Sequence, residues 1–359
     1  NNIDQMSTNH LPEDVIELLM QLIEIPSFSG EESQTADCIQ NWLHSKGVET
    51  QRIQNNVFAL NKHYDPSKPN LLLNSHHDTV RPNKAYTRVP HKAEIIDGKL
   101  FGLGSNDAGG ALVSLLGLFV HFYAAENLTY NLIVAATAEE ESSGPNGLNS
   151  LLKDLPNINV AIVGEPTQMQ LAIAEKGLVV FDAVVKGTAG HAAHPNNDNP
   201  ILKSMDVMQW FQNLEFDKVS DTLGNVKLTI TQINAGSQHN VVPSQVNLVL
   251  DVRVNECYTN QEIADIVSQA PCEVTPRSLR LQSSSIDKEH PLVVAGIAMG
   301  RNTYGSPTLS DQAALSCPSL KLGPGDSTRS HTADEFIYTD EIKEAVRLYI
   351  ELLDQVITS

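Results

Sequence analysis

Five separate segments of this 359-residue chain carry His, Asp and Glu in patterns suited to metal or acid–base chemistry. They are His76 with Asp78 in LLLNSHHDTV, Asp107 in GLGSNDAGG, Glu139-Glu140-Glu141 in ATAEEESSG, Glu165 in VGEPT and His331 in GPGDSTRSHTADEF. Taken singly, each has an ordinary explanation. A strand-end histidine usually caps a loop, three glutamates usually form a solvated turn, Asp107 suits the cap of a helix opening near Gly109, and Glu165 before Pro166 suits a turn. Together they form a donor set of imidazole and carboxylate without thiolate. Carboxylates gathered in one crevice repel and raise one another's pKa, so they call for cations between them. Such donors suit a catalytic Zn, Co or Mn centre better than a cysteine-rich structural zinc site. Two histidines with three or four carboxylates are most economically read as two metals bridged by one carboxylate, about 3.5–4 Å apart. The GxSxG pattern of an acyl-enzyme hydrolase is absent.

The segments sit where strands end. Open α/β sheets bind their ligands outside the carboxyl ends of the strands, so side chains there converge on one crevice. Apolar spacing predicts a helix over 12–25. Ser29 with Glu32 reads as a capping box opening a second helix closed by Gly47. Strands are expected over 52–60 and 70–74, a hairpin at Asp97-Gly98, a helix over 109–125, a strand over 132–138, a short helix over 148–155 and a strand over 160–163. If β geometry persists through the first motif, His76 and Asp78 share a face and His77 points the other way.

After Lys176 the pattern changes. GLVVFDAVVKG, a helical NPILKSMDVMQWFQNL, NVKLTITQIN, QVNLVLDVRV, a helical NQEIADIVSQA and an extended CEVTPRSLRLQSS give the order β-α-β-β-α-β. From about Ser284 the α/β pattern resumes and ends in an amphipathic helix over 341–357. The expected fold is an α/β catalytic domain (1–176 and 285–359) with a mostly parallel central sheet flanked by helices, interrupted by an α+β (βαββαβ) domain at 177–284.

Composition narrows the function. A net charge of −19 without a Lys/Arg run argues against nucleic-acid or membrane partners and for work on small molecules. Apolar residues make up 41%, enough to bury two cores. The N-terminal NNIDQMSTNHLPEDV has no basic or apolar signal region, and Cys38, Cys257, Cys272 and Cys317 form no paired motif, so a reducing, cytoplasmic setting is expected.

The H-x-D, D-x-x-G, E-E, G-E-P and late-histidine segments, in this order, resemble the M20 family of dinuclear zinc deacylases and peptidases. The likeness is greatest to its acetylornithine deacetylase and succinyl-diaminopimelate desuccinylase branch, and it covers essentially the whole chain. It implies two Zn2+, with Co2+ or Mn2+ as alternatives. His76 and Glu165 would hold one ion, Glu141 and His331 the other, and Asp107 would bridge both. Asp78 would orient His76, and Glu140 would be the general base and acid, with Glu139 taking that role if the triplet slips by one. It further implies a cis Asp107-Ala108 bond and a homodimer through the inserted lid domain. His191 in GTAGHAAHP would then reach the partner's active site, while His194 would be structural. Asn240 and Arg253 match positions used for the oxyanion and the substrate carboxylate.

Gly323 and Gly325 precede the late histidine and can offer backbone N–H groups to a carboxylate. That loop, and Glu165 where peptidase members have Asp, favour an N-acyl amino acid of ornithine type: N-acetyl- or N-succinylornithine, in arginine biosynthesis. Succinyl-diaminopimelate, a di- or tripeptide, and a non-enzymatic metal-binding role are the alternatives. A succinyl tail needs one more cation, which Arg253, Arg329 or Lys176 would supply.

Overall fold

A computed structural model describes residues 10–358; most of NNIDQMSTNHLPEDV, with its expected lack of a signal region, lies outside them. Helix α1 (Leu11–Ile23) buries Leu11, Val15, Leu18, Leu19 and Leu22, the helical stripe read from sequence. Helix α2 (Ser33–Ser45) ends before Gly47, whose φ of 77° suits glycine. Its start differs from expectation. Glu32 makes no side-chain cap, and Ser29 Oγ donates instead to Asp78 Oδ2 at 2.6 Å. A distant carboxylate outcompetes the local box for that hydroxyl.

The single strand expected over 52–60 is a hairpin of β1 (Gln51–Ile53) and β2 (Asn56–Leu60), because Gln54 turns the chain with φ 54°. Strand β3 (Asn70–His76) is buried throughout. Strands β4 (Glu94–Ile96) and β5 (Lys99–Phe101) join through Asp97-Gly98, both at positive φ, as a type I′ turn requires. A tight turn over Ser105–Gly109 holds a cis Asp107-Ala108 peptide and leads into the almost wholly buried helix α3 (Gly110–Phe122). There follow β6 (Asn131–Thr137), a single helical turn α4 (Leu148–Leu151) that tightens to 3-10 geometry before Leu155, β7 (Val160–Val163) and β8 (Leu171–Glu175).

The next segment is β9 (Gly177–Lys186), β10 (Gly190–His191), α5 (Pro200–Asn213), β11 (Lys227–Ala235), β12 (Val241–Val242), β13 (Gln245–Val254), α6 (Asn260–Val267) and β14 (Glu273–Pro276). Four of these strands form an antiparallel sheet in the order β11-β13-β9-β14. Val207 and Phe211 of α5 and Ile263 and Val267 of α6 pack on the inward residues of β9 and β13. Asn199 and Thr259 cap the two helices through their side chains. Of the long extended run after Cys272, Glu273–Pro276 pairs with β9, and its last residue, Ser284, already belongs to the next strand.

The chain then passes through β15 (Ser284–Ser285), α7 (Pro291–Ala298), β16 (Thr303–Ser306), β17 (Ser319–Lys321), β18 (Phe336–Tyr338) and α8 (Thr339–Ile357). Two compact units result. One comprises the described residues up to Ile173 with 285–304 and 310–358; the other is Ala174–Ser284 with Gly305–Leu309. The first is an α/β unit whose sheet runs β1-β2-β6-β3-β7-β17-β8, parallel through β6-β3-β7-β17. Leu71 and Leu73 enter the core formed with α1, α3 and α8, while Leu72 enters the opposite core with Leu148 and Leu151 of α4. This alternation sets which way each side chain beyond Leu73 must point. No described helix is long and apolar enough to cross a membrane.

Candidate metal centre

At the end of β3 the two histidines part. His77 is buried, with Nε2 donating to the Asn55 carbonyl at 2.8 Å and Nδ1 2.7 Å from the Thr35 hydroxyl. Burial lowers its pKa to about 4, so it is a neutral, internally satisfied group. His76 faces the crevice. Its Nδ1 donates to the Asp78 carbonyl at 3.0 Å and lies 3.2 Å from Asp78 Oδ1, which leaves the Nε2 lone pair directed outward. That Nε2 is buried and has no hydrogen-bond partner.

Around it stand Asp107 Oδ1 at 3.4 Å, Glu140 Oε2 at 3.3 Å and Glu165 Oε1 at 3.3 Å. On the other side of Asp107, Oδ2 is 3.3 Å from His331 Nε2, which is 3.0 Å from Glu141 Oε2. Donor atoms at the corners of a tetrahedron with bonds of about 2.0–2.1 Å are themselves about 3.3–3.4 Å apart. The spacing, the orphaned imidazole nitrogen and the all-N/O chemistry therefore fit divalent cations. Each oxygen of Asp107 serves a different histidine, so this carboxylate lies between two donor sets. Asp107 caps no helix; α3 begins without a side-chain cap.

The electrostatics agree. Burial, reinforced by neighbouring carboxylates, raises Glu140 well above its usual range and raises Glu141, and it pushes Glu165 up to about 7. Hydrogen bonds to Asp107 and Glu141 raise His331 to about 10. Burial alone would raise Asp107, but His331 and His76 bring it below the ordinary carboxylate value. Burial disfavours charge on His76, yet Glu140, Glu165, Asp107 and Asp78 override it and raise its pKa. Positive charge held among these carboxylates relieves their repulsion.

The loops that carry the donors are pinned by their backbones. Glu139 sits at φ 55° and turns its carboxylate to the Asn146 amide at 2.8 Å, away from His76. Glu140 and Glu141 N–H donate to Asp78 Oδ1 and Oδ2 at 3.1 and 3.0 Å. Two carboxylates had no sequence signal for this role. Glu32 accepts from the Gly30 and Glu139 amides. Glu335, raised to about 8 by burial and by Asp107, accepts from the Gly104, Asn106 and Asp107 amides at 3.2, 2.8 and 2.9 Å. Apart from Gly30, two residues before Glu32, their partners are backbone groups 107 or more residues away, which no local pattern reveals.

Other expected residues have different surroundings. The Gly323 amide donates to Thr167 Oγ1 and its carbonyl accepts from Thr167 and Met169, so that N–H is not on offer to a substrate. Gly323 instead permits close approach, since a Cβ there would lie 2.5 Å from the Glu165 carbonyl oxygen. Gly325 (φ 95°) accepts from the Gln168 amide, and Asn106 clamps the adjoining Asp326 backbone. Arg329 is held by Glu341 through two hydrogen bonds of 2.9 and 2.8 Å. In the second unit, Arg253 pairs with Asp251 of its own strand. His191 and Asn240 are exposed neighbours, because β10 pairs with β12 and the Ala192 amide donates to the Asn240 carbonyl. His194 is exposed beside His191, with ring centroids 5.5 Å apart. The four cysteines are free and half-buried.

A family profile described as Peptidase family M20/M25/M40 matches residues 72–355. A succinyl-diaminopimelate desuccinylase of Wolbachia pipientis subsp. Culex pipiens (strain wPip) is 26% identical, over 95% of this chain and 92% of that protein. Among solved structures, an aminopeptidase PepT from Bacillus cereus superposes with a TM-score of 0.75 at 16% identity, covering 96% of this chain and 98% of that one. A dinuclear metal-binding M20 peptidase of Bacillus subtilis gives 0.71 at 16% identity, with the same coverage.

Proposed function

Because the chain belongs to the M20/M25/M40 peptidase family of metal-dependent hydrolases, we propose that it cleaves the amide bond of an N-succinyl amino acid of diaminopimelate type. The observation that carries the reaction class is Asp107, with Oδ1 3.4 Å from His76 Nε2 and Oδ2 3.3 Å from His331 Nε2. His76 with Glu165 and His331 with Glu141 would each hold one cation, Asp107 would serve both, and zinc is the metal we assign. Glu140 is then the carboxylate left over.

Bound cations supply Lewis acidity toward the scissile carbonyl and bring the pKa of water from about 15.7 toward about 7. Asp78 fixes the His76 tautomer through Nδ1 and keeps Nε2 basic. Glu140 accepts the proton of the attacking water and passes it to the leaving amine nitrogen. The products are a carboxylic acid and a free amine.

The substrate assignment revises the ornithine-type substrate and arginine pathway expected from sequence. The relatives carry the name succinyl-diaminopimelate desuccinylase, and the GPGD loop that suggested ornithine spends its Gly323 amide internally. Of the cations considered for a succinyl carboxylate, Arg329 and Arg253 are committed to Glu341 and Asp251, and Lys176 has no ion pair among the described residues. Purified protein would be assayed with N-succinyl-L,L-diaminopimelate, N-succinylornithine, N-acetylornithine and dipeptides. We expect kcat/KM on the first to exceed the others by about 100-fold, the scale of one well-placed charged contact. A higher value on acetylornithine restores the ornithine reading, and one on dipeptides makes the enzyme a peptidase.

A further inference from the structure

The turn bearing Glu140 has three successive amides, and carboxylates from elsewhere in the chain take all three. Asp78 takes those of Glu140 and Glu141. Glu32 takes the first: its Oε1 accepts from the Glu139 amide at 3.1 Å and the Gly30 amide at 2.6 Å, while Oε2 accepts from Asn55 Nδ2 at 3.3 Å. Glu32 is wholly buried and forms no ion pair among the described residues. A carboxylate so placed is costly unless its hydrogen bonds repay the lost hydration. Those bonds meet the turn where it is least regular, since Glu139 holds φ 55°, a conformation unfavourable for a residue with a Cβ.

We propose that Glu32 is a positioning residue for Glu140, fixing through the Glu139 amide which of the three successive glutamates faces His76. With the amide bound, Glu139 stays left-handed, its carboxylate goes to Asn146, and the next residue turns inward to 3.3 Å from His76 Nε2. Without it, Glu139 relaxes to negative φ and the Glu140 carboxylate leaves its place. Asn55 ties Glu32 to the same wall as His77, whose Nε2 donates to the Asn55 carbonyl. The inference rests on Glu140 being the base.

The test uses the full chain loaded with zinc, N-succinyl-L,L-diaminopimelate as substrate, and three variants. Glu32→Ala should lower kcat about 30- to 100-fold with KM within about threefold, the pattern of a misplaced catalytic group. Its metal content should stay at the parent value, and hydrogen exchange at the 139–141 amides should accelerate. Glu32→Gln keeps an oxygen for both amides and should recover kcat to within about fivefold of the parent. If the alanine chain does not fold, Glu32→Asp, which draws the oxygen back by one methylene, should show the same kcat loss. A parent-like kcat in Glu32→Ala overturns the proposal. So does a glutamine variant as impaired as the alanine one, or a loss of zinc that matches the loss of kcat. Glu140→Ala is run alongside: if it stays active the base is misassigned, whereas if it is inactive and Glu32→Ala is not, only the role of Glu32 fails.

Discussion

His76 and His77 are adjacent, identical in type and opposite in fate, because β3 alternates its side chains between two environments. One face carries Leu72 and then His76 to the crevice; the other carries Leu71 and Leu73 into the main core and His77 to Thr35 and Asn55. That parity was legible in LLLNSHHDTV, but the partners of His77 were not, since they lie 42 and 22 residues away. His76→Ala should lose at least one cation per chain, read by elemental analysis after dialysis. His77→Ala should keep the parent metal content and instead lose about 2–4 kcal/mol of stability in denaturant unfolding, the cost of a cavity and two missing hydrogen bonds. Equal metal loss in both variants would mean that the alternation does not separate their roles. The triplet Glu139-Glu140-Glu141 was ambiguous for a related reason: a left-handed residue at Glu139 breaks the simple alternation, and nothing in three like letters marks which one turns.

Among the elements, strands and helices with a clear period were readable to within a few residues, as α1, β7, β13 and α8 show. The connections were harder, because their hydrogen bonds are long-range. Ser29 and Glu32 spelled a capping box, yet Ser29 bonds Asp78 and Glu32 bonds the Glu139 amide. Similarly, the glycines before His331 suggested substrate-binding amides, whereas Gly323 lets its loop pack against the backbone of Glu165. Gly323→Ala should therefore push Glu165 outward and weaken one cation about 10- to 100-fold, the range for disturbing a ligand's support. Isothermal titration of the metal-stripped protein would register this as one weakened and one parent-like binding step; two parent-like steps would show that the loop tolerates the Cβ. Glu335, which holds the Gly104–Asp107 turn by three amides, was invisible for the same reason as Glu32.

At the scale of the whole chain, the alternation of strands and helices carried the α/β architecture and the order of strand-end motifs carried the family, while the substrate followed from neither. The motifs mark a hydrolytic centre common to the family, whereas substrate choice depends on individual side chains whose pairing only a folded structure displays. The second unit's contribution is a proposal resting on the resemblance of GTAGHAAHP, in which His191 serves a partner subunit across a homodimer. Mixing equal amounts of His191→Ala and Glu140→Ala chains should regain about a quarter of parental activity overall, since about half of the randomly paired dimers are mixed and each mixed dimer has one of its two sites intact; no recovery would confine His191 to its own chain. The proposed hydrolysis depends on the two donor sets that share Asp107. Its most direct test is to strip the protein with chelator and add Zn2+ stepwise while following hydrolysis of N-succinyl-L,L-diaminopimelate. We predict negligible activity in the stripped protein and a rise that saturates at two equivalents per chain; full hydrolysis in the stripped protein, or saturation at a single equivalent, would contradict it.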